Sequence, residues 1–169
     1  ALDDKKQSKV FAKAILHNAE RLSDMVSSLL DLSRIDYGEL KLNIEELPIN
    51  EHINKAIDSL KNLGKRKNIS IMCSCSKGKI VLADKNALER ILNNLIENAF
   101  KYSDSQSTIN ISTKKVKDHL EISVKDSGRG IPDEEQDFLF DRFYRTAEAR
   151  ATEEKGSGLG LAIVKNLVN

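Results

Sequence analysis

The stretch from Leu88 to Ser103, LERILNNLIENAFKYS, imposes two different faces on one helix. Leu88, Ile91, Leu92, Leu95 and Ala99 recur at three- and four-residue steps, the period of a helix that buries one stripe. Asn94, Asn98 and Lys101 share a second stripe. Asn is a poor helix former that prefers caps and turns, and a solvated face is ordinarily built from Lys and Glu. Taken alone, the Asn pair reads more readily as plain surface amides than as ligands. Given a reason to be there, amide oxygens are hard ligands that suit Mg²⁺, and a nearby ammonium suits phosphate.

The rest of the chain must supply something for the apolar stripe to pack on. A chain of 169 residues, 40% apolar and 31% charged, can build one ordinary domain plus an appendage. The net charge of +1 argues against a nucleic-acid or anionic-membrane surface, but leaves small anionic ligands open. No apolar run reaches membrane-span length and no secretory leader is visible, so the chain reads as soluble. Cys73 and Cys75 have too few companions for a metal site, and they read as small buried hydrophobes of a reducing compartment.

From about Asp4 to Tyr37 there is no Gly or Pro, and Ala12, Ile15, Ala19, Leu22, Val26 and Leu29 form a heptad seam. Leu16, Met25, Leu30, Leu32 and Ile35 widen it beyond what one helix can cover, so it needs a partner helix. His17 on this helix reads as solvated or packed. Gly38 stops the helix. The alternation at Leu40, Leu42 and Ile44 predicts a short strand; Asn50 is placed to cap a helix over 51–63, with Gly64 as its stop. Ile69–Cys75 and Lys79–Ala83 read as two strands joined at Gly78, and Asp84 caps the central helix. Thr108–Thr113 and Leu120–Val124 read as strands, 133–141 as a short helix, and 146–155 as a mobile polar loop. Gly158 opens the last helix.

Five of the eight glycines fall in two short loops. In Asp126-Ser127-Gly128-Arg129-Gly130, directly after a strand, the glycines allow close backbone approach, and the carboxylate can accept from an exocyclic amine such as that of adenine. A strand-ending turn with an Asp would look the same. In Gly156-Ser157-Gly158-Leu159-Gly160, entering a helix, unpaired N–H groups and the positive dipole end suit phosphate. The pattern is neither a Walker loop nor a dinucleotide fingerprint, since GxxxxGK[ST] is absent and no strand precedes the second loop.

The order of these features, Asn-rich helix, Asp-x-Gly-x-Gly, Phe138-Leu139-Phe140-Asp141-Arg142-Phe143-Tyr144-Arg145, then Gly-x-Gly-x-Gly, resembles the ATP-binding domain of sensor histidine kinases from about Pro48 onwards. Arg21 to Ile35 is similar to the second helix of the family's dimerisation and phosphoacceptor hairpin. The resemblance implies an α+β, two-layer sandwich of a mixed sheet on helices, of the Bergerat type, preceded by a long helix. It divides the chain into a partial hairpin (1–38) and an ATP-binding catalytic domain (39–169).

It further implies Asn98 as the Mg²⁺ ligand, Asn94 supporting metal and phosphates, Lys101 on phosphate, and Tyr102 near adenine and ribose. Asp126 would accept from the adenine amine, with Gly128 and Gly130 admitting the base. Arg145 would reach the γ-phosphate, with Gly156, Gly158, Leu159 and Gly160 under the phosphates and the polar 146–155 segment as a lid. Phe140, Phe143 and Tyr144 read as aromatics anchoring the lid base in the core, Arg142 as a surface partner to a carboxylate, and Glu97 as solvated and pointing away. The gyrase and heat-shock relatives of the fold place a Glu where Asn94 stands. An amide cannot act as a general base, so phosphoryl transfer is favoured over hydrolysis.

The acceptor box, a His followed by an acidic residue and a Thr/Asn-Pro pair, surrounds none of His17, His52 or His119. The resemblance therefore implies a fragment that does not phosphorylate itself, whose partners are ATP or ADP, the hairpin carrying the acceptor His, and a response regulator. It also implies a homodimer in the full-length protein and a cytoplasmic location within a receptor that can be membrane-bound. The family's domain continues past the last helix with a glycine turn and a β-hairpin, so either the sequence continues past Asn169 or the sheet lacks its edge strands. Two further readings stay open: a stand-alone ATPase of the same superfamily, and a helical dimerisation scaffold.

Overall fold

The computed structural model describes residues 2–75, 78–151 and 156–168, apart from some side chains, most of them in the first 24 residues and His17 among them. Two compact units divide after Leu40. The first is the helix α1 (Leu2–Asp36). Gly38 ends it at φ +66, its N–H donating to Ile35 O at 3.0 Å while Glu39 N–H donates to Arg34 O at 2.8 Å. This pair of bonds satisfies the last carbonyls of the helix. The seam side chains Ile15, Leu22, Val26 and Leu29 are all exposed.

The second unit runs β1 (Ile44–Pro48), α2 (Ile49–Lys67), β2 (Ser70–Ser74), β3 (Ile80–Asp84), α3 (Lys85–Tyr102), β4 (Thr108–Val116), β5 (His119–Lys125), α4 (Asp133–Gln136), α5 (Ala147–Ala151) and α6 (Gly160–Val168). β1 pairs antiparallel with β3, Ile44 opposite Asp84. β2 runs parallel to β4, Ser70 opposite Thr108, and β5 antiparallel to β4, Val116 opposite His119. Helices α2 and α3 lie on these sheets, and α6 packs on α3. The core joins Ile49, Ile53 and Ala56 of α2, Leu88, Leu92, Ile96, Ala99 and Phe100 of α3, Leu47 of β1, and Ile109 and Ile111 of β4. At roughly 1.5–3 kcal/mol per fully buried aliphatic side chain, this interface is what orients α3.

Several local expectations give way to tertiary structure. The first strand is Ile44–Pro48 instead of 40–44, because pairing with β3 sends Leu47 inward and leaves Leu42 and Ile44 exposed. Asn50 lies inside α2, whose N-cap is Pro48 with no side-chain cap bond. Gly64 is also interior, and the helix ends three residues later at Lys67 with Asn68 left-handed at φ 53. A Cβ at Gly64 would sit 2.5 Å from Phe100 Cε1, so this glycine serves helix packing instead of termination. β2 and β3, the two strands expected on either side of Gly78, are present and pair in separate sheets. The 133–141 helix is only Asp133–Gln136, and the last helix starts at Gly160. Cys73 is exposed and Cys75 only half-buried. Burial, reinforced by a hydrogen bond with Cys73, pushes the Cys75 thiol up to about 12.

Asp84 does cap α3, its Oδ1 accepting from Ala87 N–H at 2.9 Å and its Oδ2 from Asn43 N–H at 2.9 Å. These bonds, that to Ala87 first, hold its carboxyl below the ordinary aspartate range. A folded-state value below the unfolded one gives stability that is present above the unfolded pKa and lost as pH falls through the folded one. At neutral pH, Asp84→Ala should cost about 1 kcal/mol in urea denaturation. The gap between wild type and variant should narrow below about pH 4; a gap that stays constant with pH would contradict the charged cap. Gly64→Ala sets a helix-propensity gain of about 1 kcal/mol against overpacking of about 1–3 kcal/mol onto the buried Phe100 ring. The variant should lose stability, and Phe100→Leu should relieve the loss; a stabilised Gly64→Ala protein would contradict the α2–α3 packing.

Candidate functional site

Because α3 gives Leu88, Leu92, Ile96, Ala99 and Phe100 to the core, its Asn94, Asn98 and Lys101 fall on nearly the opposite side. There they line a cavity of about 660 Å³. Ten of the twelve residues singled out in the sequence border it: Asn94, Asn98, Lys101, Tyr102, Asp126, Gly130, Arg145, Gly156, Gly158 and Gly160. Gly128 and Leu159 do not. Leu159 is fully buried and anchors the second loop from beneath. Gly128 pairs with Ser103 across an isolated bridge, and a Cβ there would strike the Tyr102 carbonyl oxygen, so it lets the first loop cross the end of α3.

The two loops are held differently. Asp126 Oδ1 accepts from Gly128 N–H at 2.8 Å, which turns the chain tightly after β5 and leaves the carboxylate exposed at the cavity. The second loop lies against three neighbours in turn. A Cβ at Gly156 would meet Lys101 Nζ at 2.5 Å, one at Gly158 the Phe143 backbone carbon at 2.7 Å, and one at Gly160 Asn94 Oδ1 at 2.6 Å. Asn94 Nδ2 donates to Arg90 O at 2.9 Å, which turns its amide oxygen toward that loop. Lys101 Nζ stands 5.4 Å over the Tyr102 ring.

The 146–151 part of the polar segment forms the short helix α5, held by one bond of its own and one from α4. Thr146 Oγ1 accepts from Ala149 N–H at 3.1 Å as the N-cap of α5, and Glu135 Oε1 accepts from Ala147 N–H at 3.0 Å. Residues 152–155 of the expected lid lie outside the described residues. Arg145 borders the cavity with its guanidinium donating to the Ala149 carbonyl oxygen. Of the aromatics expected in the core, Phe140 and Phe143 are exposed, because the segment after α4 consists of turns that lie over the second loop. Phe143, at φ 64, donates its N–H to Gly158 O at 2.9 Å.

Sequence reasoning passed over several lining residues. Glu97, read as pointing away, is exposed at the rim. Arg129 and Glu148 also border the cavity and form an ion pair at 2.9 Å that joins the first loop to α5. Thr146 followed by an Ala-rich run was a readable capping signal for α5; nothing local marks Arg129. Among the described residues no group of three or more His, Cys, Asp or Glu side chains could hold a metal unaided. Nor is any helix long and apolar enough to cross a membrane.

Residues 83–169 match the family described as histidine kinase-, DNA gyrase B- and HSP90-like ATPases. The chain is 36% identical over 165 residues to the sensor-like histidine kinase SenX3 of Mycobacterium tuberculosis, covering 98% of this chain and 40% of that one. It is 34% identical over 161 residues to the sensor histidine kinase WalK of Bacillus subtilis, covering 94% and 26%. The chain thus spans less than half of the relatives it matches. Among solved structures it is similar to the histidine kinase AdeS of Acinetobacter baumannii, with TM-score 0.80, 27% identity and coverage of 94% of this chain and 72% of that one.

The glycine contacts predict unequal substitutions. At Gly156 the obstacle is the far end of a flexible lysine, whereas at Gly158, with φ +72, it is backbone. Gly156→Ala should leave stability within about 0.5 kcal/mol. Gly158→Ala should cost at least about 1–2 kcal/mol from the left-handed backbone alone. Equal losses in thermal unfolding would contradict this placement of the loop.

Proposed function

The chain belongs to the histidine kinase-, DNA gyrase B- and HSP90-like ATPases, and we propose that it is the nucleotide-binding catalytic region of a sensor histidine kinase. In this reading it moves the γ-phosphoryl group of ATP to a histidine on a helical hairpin, for relay to a response-regulator aspartate. The observation that carries the reading is the convergence of the α3 amide stripe, Asp126 and the second glycine loop on one cavity of about 660 Å³. That is within the usual size range of ligand pockets.

Each side chain has a task there. Asp126, exposed at the cavity after β5, accepts from the adenine amine, and Tyr102 packs near the base and ribose. The glycines of 156–160 admit the phosphates, with Lys101 across from Gly156. Asn98 and the loop-facing oxygen of Asn94 are the hard donors that would hold Mg²⁺ jointly with phosphate oxygens, which suits a site where the described residues offer no cluster of three carboxylates. The bound ion supplies charge neutralisation between the phosphates. Arg145 exchanges its bond to the neutral Ala149 carbonyl for a charged phosphate oxygen, the stronger acceptor.

No side chain here takes a proton from water at the position of Asn94, so bound ATP is preserved for a protein acceptor. The exposed seam Ile15, Leu22, Val26 and Leu29 of α1 supports pairing with another helix of such a hairpin. In the full-length protein this pairing makes a homodimer.

Titration of ATP with and without Mg²⁺ tests the reading. Asp126→Ala should weaken ATP at least about 10-fold, and Asn98→Ala should abolish the gain in affinity that Mg²⁺ gives wild type. Binding unchanged in both variants would overturn the assignment.

A further inference from the structure

Lys67 is the last residue of α2, and its side chain reaches the far end of α3. Its Nζ donates to the carbonyl oxygen of Lys101 and, at 3.2 Å, to that of Ser103. The last carbonyls of a helix have no intrahelical donor and carry the negative end of its dipole, so an ammonium there meets both needs. Other ties join the same region. Gln106 N–H donates to Lys67 O at 2.9 Å, Ser70 N–H donates to Ser107 O at 2.9 Å, and the Phe100 ring closes on Gly64. On the other side of the same turn, the Lys101 and Tyr102 side chains enter the cavity. The backbone that Lys67 holds is therefore the backbone from which Lys101 is aimed at Gly156.

We propose that Lys67 is a positioning residue for the phosphate end of the cavity, fixing the last turn of α3 and through it the place of Lys101 Nζ. The proposal rests on the nucleotide reading above. Lys67→Met keeps most of the stem but leaves the Lys101 and Ser103 carbonyls without this donor. Arginine keeps the charge and has donors enough for both.

Affinities for ATP and thermal midpoints are to be measured for wild type, Lys67→Met, Lys67→Arg, Lys101→Ala and the Lys67→Met/Lys101→Ala double variant. Leu60→Ala, which removes core contact from α2 on its own, serves as the stability control. Lys67→Met should weaken ATP about 10-fold, and Lys67→Arg should restore it to within about threefold. Adding Lys67→Met to Lys101→Ala should cause no further loss, because the side chain being aimed is gone. Leu60→Ala should lower the thermal midpoint with ATP affinity retained. Additive losses in the double variant, equal ATP affinity in wild type and Lys67→Met, or the same affinity loss in Leu60→Ala would overturn this role alone. A wild-type chain that binds no ATP would overturn the nucleotide reading and this role with it.

Discussion

The burial of one face of α3 is the constraint on which the rest of the second unit depends. Leu88, Leu92, Ile96, Ala99 and Phe100 are all nearly or fully removed from solvent between α2 and the sheets. Rolling the helix by one residue turns it by about 100° and would expose most of them, at a cost on the order of 10 kcal/mol. No interaction of a surface amide approaches that figure. The orientation of Asn94, Asn98 and Lys101 is thus settled by the apolar residues between them, and the polar stripe is placed without any stabilising contribution of its own.

The glycines fit the same logic from the other side. Once α3 is fixed, whatever lies against it must yield space, and the yielding is done by residues without a Cβ. Gly64 makes room for Phe100, Gly128 for the Tyr102 carbonyl, Gly156 for Lys101 and Gly160 for Asn94. Only Gly158, at φ +72, needs conformational freedom as well as room. Close approach of backbone to a functional side chain is also what a bound anion would use, since N–H groups not covered by side chains remain available to it.

What could be read from the sequence follows from how local each signal is. The two faces of α3 were legible because periodicity and an uncommon Asn pair are properties of one segment. The Asp84 cap is local too, and so is the glycine stop of α1. Gly64 was misread because its reason is a ring thirty-six residues away on another helix. The pairing of β2 and β3 in separate sheets was not legible, because strand partners are chosen by the sheet and not by the connecting turn. In the candidate site, the residues that came together were carried by the polar stripe of α3, by Arg145 and by the two glycine loops, whose Gly128 and Leu159 instead serve packing. Glu97 stays exposed as expected, but it lies three residues from Asn94 and four from Lys101, on the same side of α3, so the spacing itself places it at the cavity. Arg129 and Glu148 owe their places to a contact between segments that the sequence does not link.

The most direct test is an amide-resolved NMR titration of the chain with magnesium ATP. If α3 presents a nucleotide site opposite its buried face, perturbed resonances will gather in three separated segments: Asn94–Ser103, Asp126–Ile131 and Gly156–Leu161. The Asn94 and Asn98 side-chain amides will be among them, while α1 stays unchanged. Perturbations absent from these segments, or confined to α1, would contradict the account.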